Sequence, residues 1–256
     1  MIELKTPGEM DAIAAAGAIV AQVLDALRGH AAPGIRPREL DAVAATLIAE
    51  AGARPTFLNY LPRSAATPYP AVTCISVNDA VVHGIPGRTK LADGDLVSID
   101  LAVHLDGWCA DSAVSFVVGA AAPADLALID ATERALQAGI DAATVGNRLG
   151  DIGHAIAGVA RGAGFGMMAD HGGHGVGRAM HEEPHVPNEG KPNRGLALRP
   201  GLVLALEPML IAGGHDRYRH DRDGWTLRSA DGSRAAHAEH TVGITADGPR
   251  VLTAKS

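Results

Sequence analysis

The sequence predicts a two-fold pseudo-symmetric α/β domain with one central site, and three observations predict it. The order helix, helix, strands occurs twice along 256 residues. The helices partly superpose at an offset of 112, where Gly34, Arg36, Ala45 and Gly52 fall on Gly146, Arg148, Ala157 and Gly164. At an offset of 107, "GDLVSID" (94–100) matches "GLVLALE" (201–207), so each half carries a carboxylate at the end of an apolar strand. The helix match alone could be chance between two Ala-rich amphipathic segments. The strand match is harder to dismiss because it aligns Asp100 with Glu207.

The elements follow in order. "TPGE" (6–9) reads as a capping box with Pro7 at the first helical position, opening an amphipathic surface helix over 7–29. Acidic Glu3, Glu9 and Asp11 replace the basic leader of a signal peptide, and no uninterrupted apolar run is long enough to span a bilayer. A second helix is expected from about Pro37 to Ala51, closed by Gly52. Strands are expected at "AVTCISV", "LVSIDLAV" and "SAVSFVVG". Pro123 opens a helix to about Ala142, and another runs from about Asn147 to Ala163. Strands return at "LVLAL", "WTLRS" and "HTVGIT". The polar, Gly-rich "GGHDRYRHDRDG" is expected to be a surface turn with two solvated histidines.

Composition narrows the function. The chain is 47% hydrophobic and 20% charged, ordinary for a globular protein, and a net charge of −7 without a Lys/Arg run offers no nucleic-acid footprint. Cys74 and Cys109 lie in no CxxC, which argues against a thiolate zinc site and suits a reducing cytoplasm.

The informative residues are acids in apolar strands. Asp100 sits inside "LVSIDLAV", where a carboxylate is costly unless paired or metal-bound. Asp106-Gly107 is a strong hairpin signal. With those two residues as the turn, Leu105 opposes Trp108 and Ala102 opposes Asp111. Asp100 and Asp111 then share a face as diagonal neighbours, roughly 7–8 Å apart. Two carboxylates that close repel, and a divalent cation resolves the conflict. Glu207 in "LALEPM" and Glu239 in "AHAEHTVGI" add two more acids, and "GHGVGRAMHEEPH" (173–185) adds histidines. Four acids and a histidine form the oxygen-rich set of a dinuclear Mn, Fe, Co or Zn site. The histidine stretch is not a zinc-protease HExxH helix, because Pro184 interrupts "HEEPH". His174 and His181, seven apart with glycines between, suit a loop along a cleft.

The motifs "SVNDAVVHGIP", "DLVSIDLAVHLDGWCADSA", "GGHGVGRAMHEEP", "LALEPML" and "AEHTVGI" together resemble the type I methionine aminopeptidases. The resemblance covers nearly the whole chain. It implies an α+β pita-bread fold, with a central curved antiparallel sheet covered by helices. Residues 1–256 would form a single catalytic domain with halves about 1–120 and 121–256. It implies two divalent ions (Co, Mn, Fe or Zn) held by Asp100, Asp111, His174, Glu207 and Glu239, with Asp111 and Glu239 bridging. Glu207 would also shuttle protons. His83 and His181 would contact the substrate while metal-activated hydroxide attacks the scissile carbonyl. Tyr60, Tyr69, Cys74, Met180 and Trp225 match positions near an apolar methionine pocket. The implied function is removal of the initiator methionine from nascent chains whose second residue is small, by a cytoplasmic monomer. Ribosome proximity would suit that reaction, although no surface patch announces it.

Departures from the pattern are visible. "LPRSAATP" between Tyr60 and Tyr69 is longer than in the common bacterial form. Met180 stands where phenylalanine is frequent, and a thioether can fill the same wall. His171, His185, Glu182 and Glu183 are left outside the metal set. Two alternatives remain open: an X-Pro peptidase of the same fold, which would usually carry an extra N-terminal domain, and a dead binding module, which would have lost its ligands.

Overall fold

The computed structural model describes residues 2–63 and 65–255. Four helices fall where the caps and apolar periodicity put them: α1 (Pro7–His30), α2 (Pro37–Glu50), α3 (Pro123–Ala142) and α4 (Leu149–Gly162). The strands of the first half are β1 (Arg54–Pro55), β2 (Cys74–Val77), β3 (Ala80–Val82), β4 (Leu96–Leu105) and β5 (Trp108–Val117). Those of the second are β6 (Gly166–Met167), β7 (Gly172–Gly175), β8 (Glu182–Pro187), β9 (Val203–Leu206), β10 (Met209–Ile211), β11 (Tyr218–His220), β12 (Leu227–Ser229), β13 (Ala235–His237), β14 (Glu239–Thr245) and β15 (Gly248–Val251).

A nine-stranded sheet runs β1-β4-β5-β14-β9-β7-β8, with β2 also on β4 and β15 also on β14. Every pairing in it is antiparallel. The two halves meet at β5 and β14, where Ala113 faces Glu239 and Ser112 faces His240. Two three-stranded sheets, β13-β10-β6 and β11-β12-β3, flank it. The β4–β5 hairpin turns at Asp106-Gly107, both at positive φ (49° and 83°), and its register pairs Leu105 with Trp108 and Ala102 with Asp111, as expected.

Each half has its own core. One cluster packs α1 against β4 and β5 and α2 against α1 and β1, with Ile13, Val20, Leu27, Leu40, Ile48 and Leu101 almost wholly buried. The other packs α3 against β9 and β14 and α4 against α3 and β8, around Leu128, Ile152, Ile156 and Leu204. The internal repeat is real at atomic detail. Before α2, the Arg36 amide donates to Glu39 Oε2 at 2.7 Å; before α4, the Arg148 amide donates to Asp151 Oδ2 at the same distance. Gly34 and Gly146, which start the two repeats, take φ of +95° and +100°, a region that glycine enters without steric cost.

The box at the start of α1 forms as read. Glu9 accepts from the Thr6 amide at 2.8 Å and the Thr6 hydroxyl accepts from the Glu9 amide at 3.3 Å. By length and composition α1 could cross a bilayer, yet half of its most apolar stretch is buried inside the protein. One expectation is corrected. The segment 213–224 is not all turn, because it contains β11, which pairs with β12. Arg228 of β12 reaches Asp221 and Asp79 at 2.5 and 2.6 Å and ties this hairpin to the first half. Polar composition hid a strand whose ladder is completed by a partner further along the chain.

Candidate metal centre and substrate cleft

The sheet register assembles the acids. Asp100 on β4 and Glu239 on β14 both pair with Ala113 of β5, so the three residues form one row across three strands. Asp111 lies two residues before Ala113 and therefore projects from the same face. Glu207 directly follows β9, whose last residue, Leu206, pairs with His240. Asp100, in the middle of β4, and Glu207, just past the end of β9, thus converge from opposite sides of the junction between the halves. Asn188 pins Glu207 by donating to its carbonyl at 2.9 Å.

His174 comes in on β7. That strand lies so close to β9 that a Cβ on Gly173 would collide with the carbonyl of Ala205. The His174 Nδ1 sits 2.9 Å from the Gly175 carbonyl, which marks Nδ1 as the protonated nitrogen and leaves Nε2 free, 3.7 Å from Glu207 Oε1. The predicted loop character of this stretch is half right: His174 is in a strand, and the chain then loops through His181 before returning as β8.

Donor atoms gather in two overlapping groups, each within 4.8 Å of one another: Asp111, His174 and Glu239, and Glu207, His237 and Glu239. Asp100 stands beside the first group. Among the described residues, Asp100 Oδ1, Asp111 Oδ1, Glu239 Oε1 and His237 Nε2 are buried with no hydrogen-bond partner. Orphaned buried carboxylate oxygens are rare because each costs free energy, and a cation is the partner that would satisfy several at once.

Electrostatics point the same way. Burial, then the neighbouring Asp111 and Glu207, push the Asp100 carboxyl well above its usual range. Burial raises Asp111 to about 7. Glu207 and Glu239 are raised by burial and by Asp111. The histidines go the other way: desolvation lowers His174 and His237 to about 3, and His83 to about 4. The centre therefore offers neutral imidazoles and carboxyls that cannot all ionise without a cation.

A cavity of about 530 Å³ opens onto these groups. Its polar floor holds Asp100, Asp111, His174, Glu207 and Glu239, and its walls include Tyr60, Tyr69, Cys74, Met180 and Trp225. Both tyrosines keep their places despite the longer connection between them. Tyr69 is buried, donates to the Thr73 and Gly84 carbonyls at 3.0 and 2.9 Å, and packs edge-on against Trp225 with ring centroids 5.1 Å apart. Tyr60 Oη lies 2.8 Å from His181 Nδ1. Trp225 donates to the Thr67 carbonyl at 3.1 Å, so the longer loop supports the cleft wall. Cys74 pairs with Asp100 across β2 and β4, next to the acids. His83 also lines the cavity and holds φ +58°, an uncommon conformation for a residue with a Cβ and one that recurs at functional sites.

Residues 11–246 match the model of metallopeptidase family M24. The chain belongs to this family. Methionine aminopeptidase 1 of Mycobacterium tuberculosis (strain CDC 1551 / Oshkosh) is 52% identical over 260 residues, covering 99% of this chain and 95% of the relative. A crystal structure of methionine aminopeptidase from Thermotoga maritima superposes with a TM-score of 0.94 at 38% identity, covering 100% of both chains. Prolidase from Pyrococcus furiosus shares the fold alone, with a TM-score of 0.77 and 23% identity; this chain covers only 66% of that longer protein.

Within this M24 chain, sequence reasoning missed two things. One is His237, which enters the donor cluster from β13. Its signal was present in "HAEH", where His237 lies two residues before Glu239 at the end of a short strand. The other is the work of Glu182. It binds the buried Lys5 ammonium at 2.6 Å and accepts from the Arg178 and Ala179 amides at 2.7 and 3.1 Å, fixing the loop that carries His181. Glu183 and His185 are exposed outside the donor groups, and His171 stacks edge-on with Tyr218 on the cavity wall.

Proposed function

We propose that this chain is a methionyl aminopeptidase that removes the N-terminal methionine from nascent polypeptides whose second residue is small. The observation that carries the reading is the single cavity in which a cluster of unsatisfied acids abuts an apolar wall of Tyr69, Cys74, Met180 and Trp225. An unbranched thioether side chain suits that wall, and the acids suit the peptide bond beside it. The whole chain acts as one catalytic domain, since the donors come from both halves.

Asp100, Asp111, His174, Glu207 and Glu239 would hold two divalent ions, drawn from Co, Mn, Fe or Zn. Bound there, divalent ions acidify water and polarise a carbonyl. The protein's own groups supply the remainder. Glu207, once ionised beside a cation, would take the proton lost by water and return it to the departing amine. His83 is neutral at pH 7 and can donate a ring N–H to the substrate as charge develops. His181, steadied by Tyr60, does the same at the scissile amide. The reduced, buried Cys74 and Cys109 suit the cytoplasm, and the acidic chain acts as a monomer on chains near the ribosome.

The test is a peptide assay on metal-loaded protein. Release of methionine from Met-Ala-Ser but not from Met-Lys-Ser is expected. Cleavage of Ala-Pro peptides with none of Met-Ala-Ser would replace this reading with X-Pro hydrolysis, and loss of both activities would leave a binding module.

A further inference from the structure

His237 belongs to no ligand set implied by the motifs, yet its environment is that of a ligand. Its side chain is 2% exposed. Its Nε2 is buried without a hydrogen-bond partner, 3.7 Å from Glu207 Oε2 and 3.9 Å from Glu239 Oε2. Those separations are too long for hydrogen bonds. Nitrogen and oxygen donors lie about 2.0–2.2 Å from a small divalent ion, so two donors on one ion sit about 3–4 Å apart. The measured gaps fall in that range.

The backbone holds the ring there. The His237 amide donates to Ser115 Oγ at 2.9 Å, and Ser115 Oγ donates back to the His237 carbonyl at 2.7 Å. Ser98 Oγ lies 2.7 Å from the same hydroxyl. His237 also pairs with Met209 in the β13–β10 ladder. The Glu207 carboxylate is consequently flanked by two imidazoles: His174 lies 3.7 Å from Oε1, and His237 lies 3.7 Å from Oε2.

We infer that His237 is a direct nitrogen ligand of the ion held by Glu207 and Glu239, so that this ion is coordinated by two histidines, His174 and His237. The inference rests on the metallopeptidase reading and deepens it. A second imidazole makes the site less oxygen-rich, and nitrogen donors favour Zn and Co over Mn more than carboxylates do. The chain should therefore discriminate against Mn more strongly than a site with His174 alone.

The experiment is X-ray absorption on protein carrying one equivalent of Zn, with competitive titration of Zn against Mn as the second readout. Two imidazoles per Zn are expected in the wild type and one in H237Q, with Zn affinity about 10- to 100-fold weaker in the variant and the Zn-over-Mn preference reduced. A single imidazole in both proteins overturns the inference and leaves His237 as a neighbour of the ligands. If H237Q does not fold, H237A carries the same comparison, and a count of one in the wild type overturns the inference without any variant. Wild-type protein that binds no Zn at all would overturn the metallopeptidase reading itself, a distinct result.

Discussion

Asp111→Asn should stabilise the metal-free protein while weakening its hold on metal. Asp111 is buried, its Oδ1 is orphaned, and its pKa stands at about 7 against an ordinary value of 3.8. A carboxyl raised in the fold favours the native state at low pH, where it is protonated in both states. That advantage disappears as pH rises through the folded pKa, because the unfolded chain releases its proton more readily. At pH 8 the shift amounts to about 4 kcal/mol of lost stability. At pH 5 it is about 2 kcal/mol by the same arithmetic. Asparagine removes the charge but leaves a buried amide, which costs about 1–3 kcal/mol if it finds no partner. A net gain of about 1–3 kcal/mol at pH 8 is expected, or roughly 2–4 °C in Tm for each kcal/mol in a chain of this size. The gain should shrink towards pH 5. Thermal melts in chelator, then in excess Mn or Co, measure both effects. Divalent metal should raise the Tm of the wild type more than that of D111N. A variant less stable than the wild type in chelator at pH 8 would refute the claim that Asp111 is electrostatically strained without a cation.

Other outcomes follow from the same geometry. Glu207→Gln should leave the circular dichroism spectrum unchanged and lower turnover by about 10²–10⁴-fold; unaltered turnover would remove Glu207 from proton transfer. Metal affinity should rise by up to tenfold per pH unit for each proton released between pH 5 and 7. Asp111, at about 7, must deprotonate, whereas His174, at about 3, already has, and calorimetry in buffers of different ionisation enthalpy counts the protons. Tyr60→Phe removes the partner of His181 and should lower kcat/KM by about 2- to 10-fold with no change in metal affinity, measured by peptide kinetics and titration. Gly173→Ala must push β7 from β9 and should cost about 1–3 kcal/mol in a thermal melt, with an unchanged Tm counting against that packing.

The parts of this protein legible in its sequence were those encoded locally. The capping box at Thr6, the Asp106-Gly107 turn and the Pro starts of three helices depend on neighbours a few residues away, and they formed as read. The hairpin register followed from the turn, so Asp100 and Asp111 could be placed on one face without coordinates. Several short strands of the second half were not legible, unlike β9 and β12, which fall within "LVLAL" and "WTLRS". β6, β10 and β13 contain two or three residues each and exist because they pair with one another across long stretches of chain. His237 is harder to read for the same reason: its approach to Glu207, thirty residues earlier, is set by strand pairing, and its one local mark is its place two residues before Glu239.

The duplication explains why the centre needs its charge conflict. Repeating one strand-borne acid brings Asp100 and Glu207 to opposite sides of the β5–β14 junction, and each half adds another acid, Asp111 or Glu239. Among the described residues, no arginine or lysine side chain lines the cavity to neutralise them. Lys5, which reaches the histidine loop, is committed to Glu182. Four raised carboxyls in one cleft would favour separation of the halves as they ionise. The β5–β14 pairing and the apolar contacts that cross between the halves, such as Val203 and Ala205 in the first cluster and Leu96 in the second, oppose that separation, and a divalent ion would relieve the repulsion. The fold thus holds the carboxylates in a conflict that a cation can relieve, and the same cation would activate water beside the methionine-sized wall.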